Sequence, residues 1–264
     1  MTVTTGLKGA RVLITAASRG IGFGAASAFL QEGARVVVNS SHADRLKQAL
    51  ETLRPFGEVS GVVADLSRQG DLDLLVRETR ERLGGLDTLV YVTGSPRPGT
   101  FLEQDYSDWS AAANLLVVSP AYLARRAAEL MIETSPAARQ VFLASVAIRE
   151  PLPNLATSSV CRIAVAGLVR TLARELGPRG VRVNGILPGY IRTERIGEVA
   201  RDQARRHGTL VAEEISSLER QIPLGRLGTP DELARTILFL GSDLSAYVTG
   251  AMVPVDGGLL RSVG

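Results

Sequence analysis

The sequence is poor in several residue types, and each shortage excludes a class of protein. It contains a single cysteine, Cys161, among 264 residues, so an internal disulfide framework cannot form. Glycine, arginine or proline interrupts every apolar run before it reaches the roughly 18 residues that a membrane span needs. The first residues lack the apolar core of a signal peptide. We therefore expect a cytoplasmic protein with no membrane partner.

Lysine is also scarce, because Lys8 and Lys47 are the only two among 30 basic residues and the rest are arginine. The calculated pI is 9.3, yet the formal net charge is only +3. Most arginines stand beside acidic residues, as on a solvated surface of mixed charge, and we predict no nucleic-acid partner. We also predict no metal site. One local basic cluster stands out: Arg201, Arg205, Arg206 and His207.

Short β-branched runs alternate with longer stretches that carry apolar residues at helical spacing. The predicted strands are residues 11–15, 34–39, 58–63, 86–92, 140–144, 181–187 and 252–255. The predicted helices are residues 21–31, 43–53, 69–83, 107–133, 155–176 and 230–240. This alternation predicts an α/β fold, with a doubly wound parallel sheet of about seven strands and helices on both faces. We expect one domain over residues 1–264.

One long irregular region, residues 190–228, is polar, rich in arginine and predicted to be partly helical. It follows the strand at 181–187, on the sheet edge where ligands enter folds of this kind. A substrate lid is the functional interpretation. A disordered surface insertion is the alternative.

The first strand runs directly into a glycine-containing turn, residues 16–22, and then into a helix. Such a turn places backbone N–H groups and a helix N-terminus against a pyrophosphate, and glycine permits the close approach. The flanking strand and helix make the signal strong. The predicted cofactor-binding residues in this turn are Thr15, Ala17, Ser18, Arg19, Gly20, Ile21 and Gly22.

The charged residues near the end of the second strand distinguish an NAD site from an NADP site. An NAD-preferring site needs a carboxylate near the end of the second strand, but no acidic residue occurs there before Asp44. Arg19 could reach a 2′-phosphate, and Ser40 or Ser41 could hydrogen-bond to it. We therefore favour NADP(H) over NAD(H). The alternative is that Arg19 is only a solvated turn residue.

The segment TAASRGIG resembles the TGxxxGxG turn of the short-chain dehydrogenase/reductase family, with Ala16 in place of the first glycine. Further segments resemble this family in the expected order: Asp65-Leu66, Gly94, Val183-Asn184, Pro188-Gly189-Tyr190-Ile191-Arg192-Thr193 and Val255-Asp256-Gly257-Gly258. Around Gly94 the chain departs from the family, because Tyr91-Val92-Thr93-Gly94 replaces the usual Asn-Asn-Ala-Gly. The resemblance covers essentially the whole chain and is closest to the 3-oxoacyl-carrier-protein reductase type. It implies a Rossmann-type domain and a homotetramer or dimer, formed through the helices at 107–133 and 155–176. It also adds cofactor-binding residues: Asp65, Leu66, Thr93, Gly94, Arg162, Pro188, Gly189, Ile191 and Thr193.

The family's catalytic residues are only partly present. Asn114 and Ser145 match its asparagine and serine, whereas Ser158 and Arg162 stand where it has a Tyr-x-x-x-Lys pair. Residues 158 and 162 still share one helix face. A serine hydroxyl is a much weaker acid than a phenol, and arginine cannot act as an acid. Tyr190, Tyr91 and Thr93 are alternative donors, so the usual mechanism does not transfer directly.

The resemblance therefore supports an NAD(P)(H)-dependent oxidoreductase with a non-standard proton path, acting on a carbonyl or alcohol that could be of the 3-oxoacyl type. The substrate could be a small molecule or a group on an acyl carrier, and an arginine-rich lid suits an acidic or phosphorylated carrier. The alternative is a catalytically silent dinucleotide-binding sensor or structural subunit. Dehydration or isomerisation in the same pocket is a third interpretation.

Overall fold

The computed structural model describes residues 4–262, and its centre is one parallel sheet of seven strands. The strands are β1 (Arg11–Ile14), β2 (Arg35–Ser40), β3 (Val59–Val63), β4 (Thr88–Tyr91), β5 (Ala138–Leu143), β6 (Val181–Pro188) and β7 (Met252–Val255). Their order is β3-β2-β1-β4-β5-β6-β7, and all six neighbouring pairs are parallel. The strand order therefore reverses between β1 and β4, which is where such sheets open a ligand crevice.

Helices cover both faces of the sheet, as the sequence predicts. They are α1 (Gly20–Gln31), α2 (Ala43–Leu53), α3 (Gln69–Leu83), α4 (Tyr106–Ala113), α5 (Ser119–Thr134), α6 (Ala156–Leu176), α7 (Glu194–His207), α8 (Val211–Arg220) and α9 (Pro230–Leu240). One apolar core packs α3, α5 and α6 against the sheet, and a second packs α1, α2 and α9 against the opposite face. The predicted doubly wound α/β fold is confirmed.

The predicted helix at 107–133 is not continuous. A π-helical turn, Asn114–Val118, separates α4 from α5. Pro120 lacks an N–H donor at the start of α5. The N–H and the hydroxyl of Ser119 both donate to the Asn114 carbonyl, the hydroxyl at 2.8 Å. Asn114 is the first residue of this interruption.

The region at 190–228 contains α7 and α8, in agreement with the partly helical prediction. Its two ends are joined, because Gly228 N donates to Tyr190 O at 3.0 Å and Arg192 N donates to Gly228 O at 2.8 Å. The segment is therefore a closed excursion from the end of β6 and not a loose insertion.

Within the described residues, helix 156–179 is long and apolar enough to cross a membrane, by length and composition only. Core helices of soluble proteins pass the same test. Here Val165 and Val169 are buried in the sheet-facing core, while Val160 and Ile163 are 57% and 55% exposed. This helix therefore has one apolar face against the sheet and a second apolar face directed outward.

Thr15 joins the ends of β1 and β4 and is fully buried. Its hydroxyl donates to Val92 O and accepts from Val92 N at 2.8 Å. Both hydrogen-bonding capacities of the hydroxyl are thus used within the sheet. The prediction that Thr15 binds the cofactor is wrong for the side chain, because its hydroxyl points into the fold.

We predict that Thr15→Val lowers the free energy of unfolding by about 1–3 kcal/mol, because valine keeps the shape but leaves a buried N–H and C=O without a partner. Urea denaturation measures the loss, and the dissociation constant for NADPH should change little. Thr52→Val, which alters an exposed hydroxyl on α2, is the control. Equal stability of the two variants would contradict this role for Thr15.

Candidate active site

A cleft of about 790 Å³ opens at the carboxyl ends of the strands, beside the reversal of strand order. This volume lies in the range of small-molecule and cofactor sites. Many of the residues predicted from the sequence line it together: Ser18, Arg19, Gly20, Ile21, Gly22, Ser40, Ser41, Asp65, Leu66, Thr93, Gly94, Ser145, Ser158, Arg162, Pro188, Gly189, Ile191 and Thr193.

Three predicted residues do not line the cleft, namely Thr15, Ala17 and Asn114. Ala17 is fully buried in the core under the turn. The Asn114 side chain donates to Ser67 O at 2.8 Å and so holds the loop that follows β3. The placement of Ala17 and Asn114 in the site is therefore corrected to supporting positions, because Ala17 packs in the core and the Asn114 amide is bonded to Ser67 O.

The turn after β1 has the geometry needed to hold a pyrophosphate. Helix α1 begins at Gly20, and its N-cap, Arg19, makes no side-chain capping bond, so the first N–H groups of the helix remain available. Gly20 has φ +58°, and a Cβ at Gly22 would lie 2.6 Å from Ala16 O. Both glycines are thus required by the backbone, and the residues present fit a dinucleotide.

Ala16, where the resemblance expects glycine, adopts φ +46°. This left-handed conformation is costly for a residue with a Cβ. The strained peptide is held by Asn39, whose Oδ1 accepts from Ala16 N at 2.7 Å and whose Nδ2 donates to Ala64 O at 2.7 Å. Asn39 therefore ties the ends of three strands around the turn. Sequence reasoning missed this role, although Asn39 ends the predicted second strand.

Two cations lie at the end of the cleft beside β2. Arg19 forms an ion pair with Glu194, at the start of α7. Arg45, on the first turn of α2, also lines the cleft and forms no ion pair or side-chain hydrogen bond within residues 4–262. The nearby Asp65 carboxylate accepts from the N–H and hydroxyl of Ser67, and these bonds lower its pKa. Sequence reasoning considered Arg19 here and missed Arg45.

A buried guanidinium forms the opposite end of the cleft. Arg162 is 7% exposed, and its Nε donates to Ser158 Oγ at 3.1 Å. Its remaining hydrogen bonds go to the carbonyls of Leu143, Ala144 and Gly94, at 3.3, 3.2 and 3.4 Å. Arg162 has no carboxylate partner among the described residues, so its positive charge is not neutralised from within the fold. Burial is the main reason that its pKa falls, to about 10.

Two serine hydroxyls accompany this guanidinium. Ser145 Oγ accepts from Ala147 N at 3.1 Å, just as Ser158 Oγ accepts from Arg162. Because each oxygen is engaged as an acceptor, each hydroxyl proton remains free to be donated toward the cleft. The arrangement can therefore donate two hydrogen bonds to a substrate oxygen beside a fixed positive charge.

The alternative donors differ in position. Tyr91 is buried, does not line the cleft, and donates its hydroxyl to Leu115 O at 3.3 Å. Burial raises its pKa, so it is a poor acid at neutral pH. Tyr190 and Thr93 do line the cleft, and burial also raises the pKa of Tyr190. Tyr91 is therefore excluded as a direct donor in this structure.

A further cation, which sequence reasoning did not single out, reaches the same end from α7. Arg195 lines the cleft and bonds Pro96 O and Glu198 Oε2, each at 3.4 Å. After burial, its positive charge is a further cause of the lowered pKa of Arg162. This end of the cleft thus contains two guanidinium groups, of which only Arg195 has a carboxylate partner among the described residues.

Comparison with known proteins gives consistent matches over nearly the whole chain. A family model described as enoyl-(acyl carrier protein) reductase matches residues 15–260. The chain is 33% identical to a 3-oxoacyl-[acyl-carrier-protein] reductase of Synechocystis sp., covering 97% of this chain and 99% of that protein. It is 31% identical to a 3alpha-hydroxysteroid dehydrogenase of Mediterraneibacter gnavus, covering 95% and 97%.

Two solved structures are also similar. L-sorbose reductase from Gluconobacter frateurii, complexed with NADPH and L-sorbose, superposes with a TM-score of 0.93 at 30% identity, covering 99% of this chain and 100% of that one. An NADPH-bound short chain oxidoreductase from Pseudomonas aeruginosa PAO1, described as containing an atypical catalytic center, has a TM-score of 0.86 at 34% identity, covering 96% and 98%.

We predict that Ala16→Gly raises the free energy of unfolding by about 0.5–1 kcal/mol, because relief of the left-handed conformation exceeds the added entropy of the unfolded chain. Denaturant titration measures the gain. Ala121→Gly, on an exposed position of α5, should act oppositely and destabilise by about 1 kcal/mol. A lower free energy of unfolding in Ala16→Gly would contradict the claim that the backbone of Ala16 is strained.

Proposed function

This chain belongs to the short-chain dehydrogenase/reductase family of NAD(P)-dependent oxidoreductases, which act on carbonyl and alcohol substrates. We propose that it uses NADP(H) and that Ser145, Ser158 and Arg162 form its proton path. The observation that carries the proposal is the buried guanidinium of Arg162, which has no carboxylate partner among residues 4–262 and holds Ser158 at the cleft wall.

The chain's own residues account for binding of the cofactor. The N–H groups at the start of α1 would hold the pyrophosphate, and Thr193, beside Gly20, would meet the nicotinamide end. Asp65 would lie beside the adenine. When bound, the nicotinamide supplies the hydride for reduction of the substrate carbon or accepts it in the reverse direction.

The proton path follows from the hydrogen bonds already made. Hydride arrival makes a carbonyl oxygen negative, and fixed donors stabilise that charge. Ser145 and Ser158 would each donate a hydrogen bond to this oxygen, and Ser158 would transfer its proton to it and then regain a proton from water in the open cleft. The adjacent guanidinium of Arg162 stabilises negative charge on the substrate oxygen and on Ser158 Oγ after proton transfer. Arg162 itself stays protonated and acts as a fixed cation.

A silent dinucleotide-binding protein remains the second candidate, because one observation favours it. Arg162 donates three hydrogen bonds to main-chain carbonyls. This pattern is typical of a structural residue, here one that connects α6 to the ends of β4 and β5. In that case the cleft would bind cofactor without turnover. The catalytic assay below separates the two candidates.

The comparisons support the proposed cofactor and the departure from the usual residues. NADPH is named for both the Gluconobacter and the Pseudomonas structures, and the latter is described as having an atypical catalytic center. An acyl-carrier substrate is suggested by the Synechocystis relative.

We also propose a cytoplasmic homotetramer or dimer, in which the outward apolar face of α6 at Val160 and Ile163 is covered.

We predict that Ser158→Ala lowers kcat about 100-fold for NADPH-dependent reduction, because a positioned proton donor contributes on that order. The assay is NADPH oxidation with a panel of β-keto esters, 3-oxoacyl thioesters, diketones and sugars. The dissociation constant for NADPH should be unchanged. Ser159→Ala is the matched control, since Ser159 is the next residue of α6, is buried, and its hydroxyl has no hydrogen-bond partner among the described residues.

The outcomes discriminate between the candidates. Turnover that falls in Ser158→Ala but not in Ser159→Ala supports the proton path. Tight NADPH binding with no turnover across the panel supports the silent protein. Undiminished turnover in Ser158→Ala would show that another group, such as Tyr190, gives the proton.

We predict that Arg45→Gln raises the dissociation constant for NADPH about tenfold, because it removes a charge-assisted bond to the 2′-phosphate. Binding of NADH, which lacks that phosphate, should not change. Arg19→Gln should have a smaller effect, since Glu194 already neutralises Arg19. Fluorescence titration measures each constant, with Lys47→Gln on the same helix as the control. An equal loss of NADH affinity would contradict this assignment.

A further inference from the structure

A second pocket, of about 450 Å³, lies between α7 and α8 beside the main cleft. Its lining includes Arg201, Arg205, Thr209 and Val211. Glu198 lines both this pocket and the main cleft, so the two cavities share a wall. Ser145, Ser158 and the glycine-containing turn line the main cleft and not the second pocket.

The two cavities are connected by one face of α7. Arg195, Glu198, Arg201 and Arg205 follow one another at spacings of three or four residues, which places them in a row along a helix. At 1.5 Å per residue, Arg201 lies about 9 Å and Arg205 about 15 Å along the axis from Arg195. A row of arginines thus runs from the catalytic end of the cleft into the second pocket.

Most of the charges on this face are already paired. Glu198 is 3.4 Å from Arg195, and Asp202 contacts both Arg205 at 3.3 Å and Arg206 at 2.9 Å. Arg206 also bonds Glu103, at 2.9 Å. Arg205 and Arg206 therefore share the Asp202 carboxylate, and Arg195 is paired with Glu198.

The nearby carboxylate of Glu214, on α8, does not neutralise the arginines of the pocket. Glu214 is engaged by His207 Nδ1 at 3.0 Å and by the Thr209 hydroxyl at 2.6 Å. The Arg201 side chain forms neither an ion pair nor a hydrogen bond within residues 4–262, and its guanidinium lies over Gly197. The pocket thus keeps one uncompensated positive charge, with Arg205 only loosely held at its side.

We propose that this second pocket binds an anionic group at the far end of an elongated substrate whose carbonyl lies at Ser145, with Arg201 and Arg205 as its ligands. The group is of the phosphate class, since two guanidinium groups suit a phosphate geometrically and electrostatically. Glu198, fixed by Arg195, separates this subsite from the reacting centre. The proposal rests on the proposed reductase function and names the class of substrate that such a reductase would take.

Binding is tested first, without turnover, by calorimetric titration of inorganic pyrophosphate into the full-length protein saturated with NADP+. Arg201→Gln should weaken pyrophosphate binding about tenfold. Glu198→Gln should tighten it several-fold, because it removes a competing carboxylate. Arg77→Gln, which removes an exposed arginine on α3, is the matched control and should leave binding unchanged. Opposite shifts in two variants of one helix face would not follow from a loss of folding.

The second measurement asks whether the anion belongs to the substrate. One 3-oxoacyl group is presented as the thioester of coenzyme A, which carries phosphates, and as the thioester of N-acetylcysteamine, which carries none. Arg201→Gln should raise KM about tenfold for the first and leave KM for the second unchanged. Pyrophosphate should compete with the coenzyme A thioester.

Three results would overturn the proposal: equal pyrophosphate binding in Arg201→Gln and Arg77→Gln, an equal change of KM for both thioesters, or non-competitive inhibition, which would indicate a separate effector anion. Failure of the proposed function is recognised separately. In that case the wild-type protein would turn over neither thioester, whatever the calorimetry shows.

Discussion

The structure depends on how a guanidinium is buried without a carboxylate. Taking a cation out of water is costly unless polar groups replace the solvent. Arg162 meets this cost with carbonyl groups at the ends of β4 and β5 and with the hydroxyl of Ser158. The same bonds fix α6 to the sheet and leave a net positive charge at the cleft. One side chain, that of Arg162, therefore both attaches α6 to the sheet and gives this end of the cleft its positive charge.

The opposite end of the cleft is held by a second set of polar contacts. The turn that faces the cofactor contains Ala16 in a left-handed conformation, and the Asn39 amide holds it against β2 and the end of β3. The buried hydroxyl of Thr15 fastens β1 to β4 beneath it. The Asn39 amide thus holds the turn itself, whereas the Thr15 hydroxyl stabilises the sheet below it.

Helix α7 links these two ends. It reaches the phosphate-binding turn through Glu194 and Arg19, the loop after β4 through Arg195 and Pro96, and the segment before α4 through Arg206 and Glu103. All three contacts are polar and partly exposed, so each is individually weak and sensitive to salt. Helix α7 is therefore held against the rest of the fold by contacts that rising ionic strength would weaken.

The sequence alone determined the sheet, its helical layers and the dinucleotide turn, because burial periodicity and glycine geometry are local properties. It also determined that Ser158 and Arg162 share a helix face, since that spacing is local too. The tertiary structure decided the rest. The Asn114 amide bonds to Ser67 O, Glu194 pairs with Arg19, and Arg195 approaches Arg162. Each of these depends on long-range contacts that set side-chain direction, which no spacing along the chain encodes.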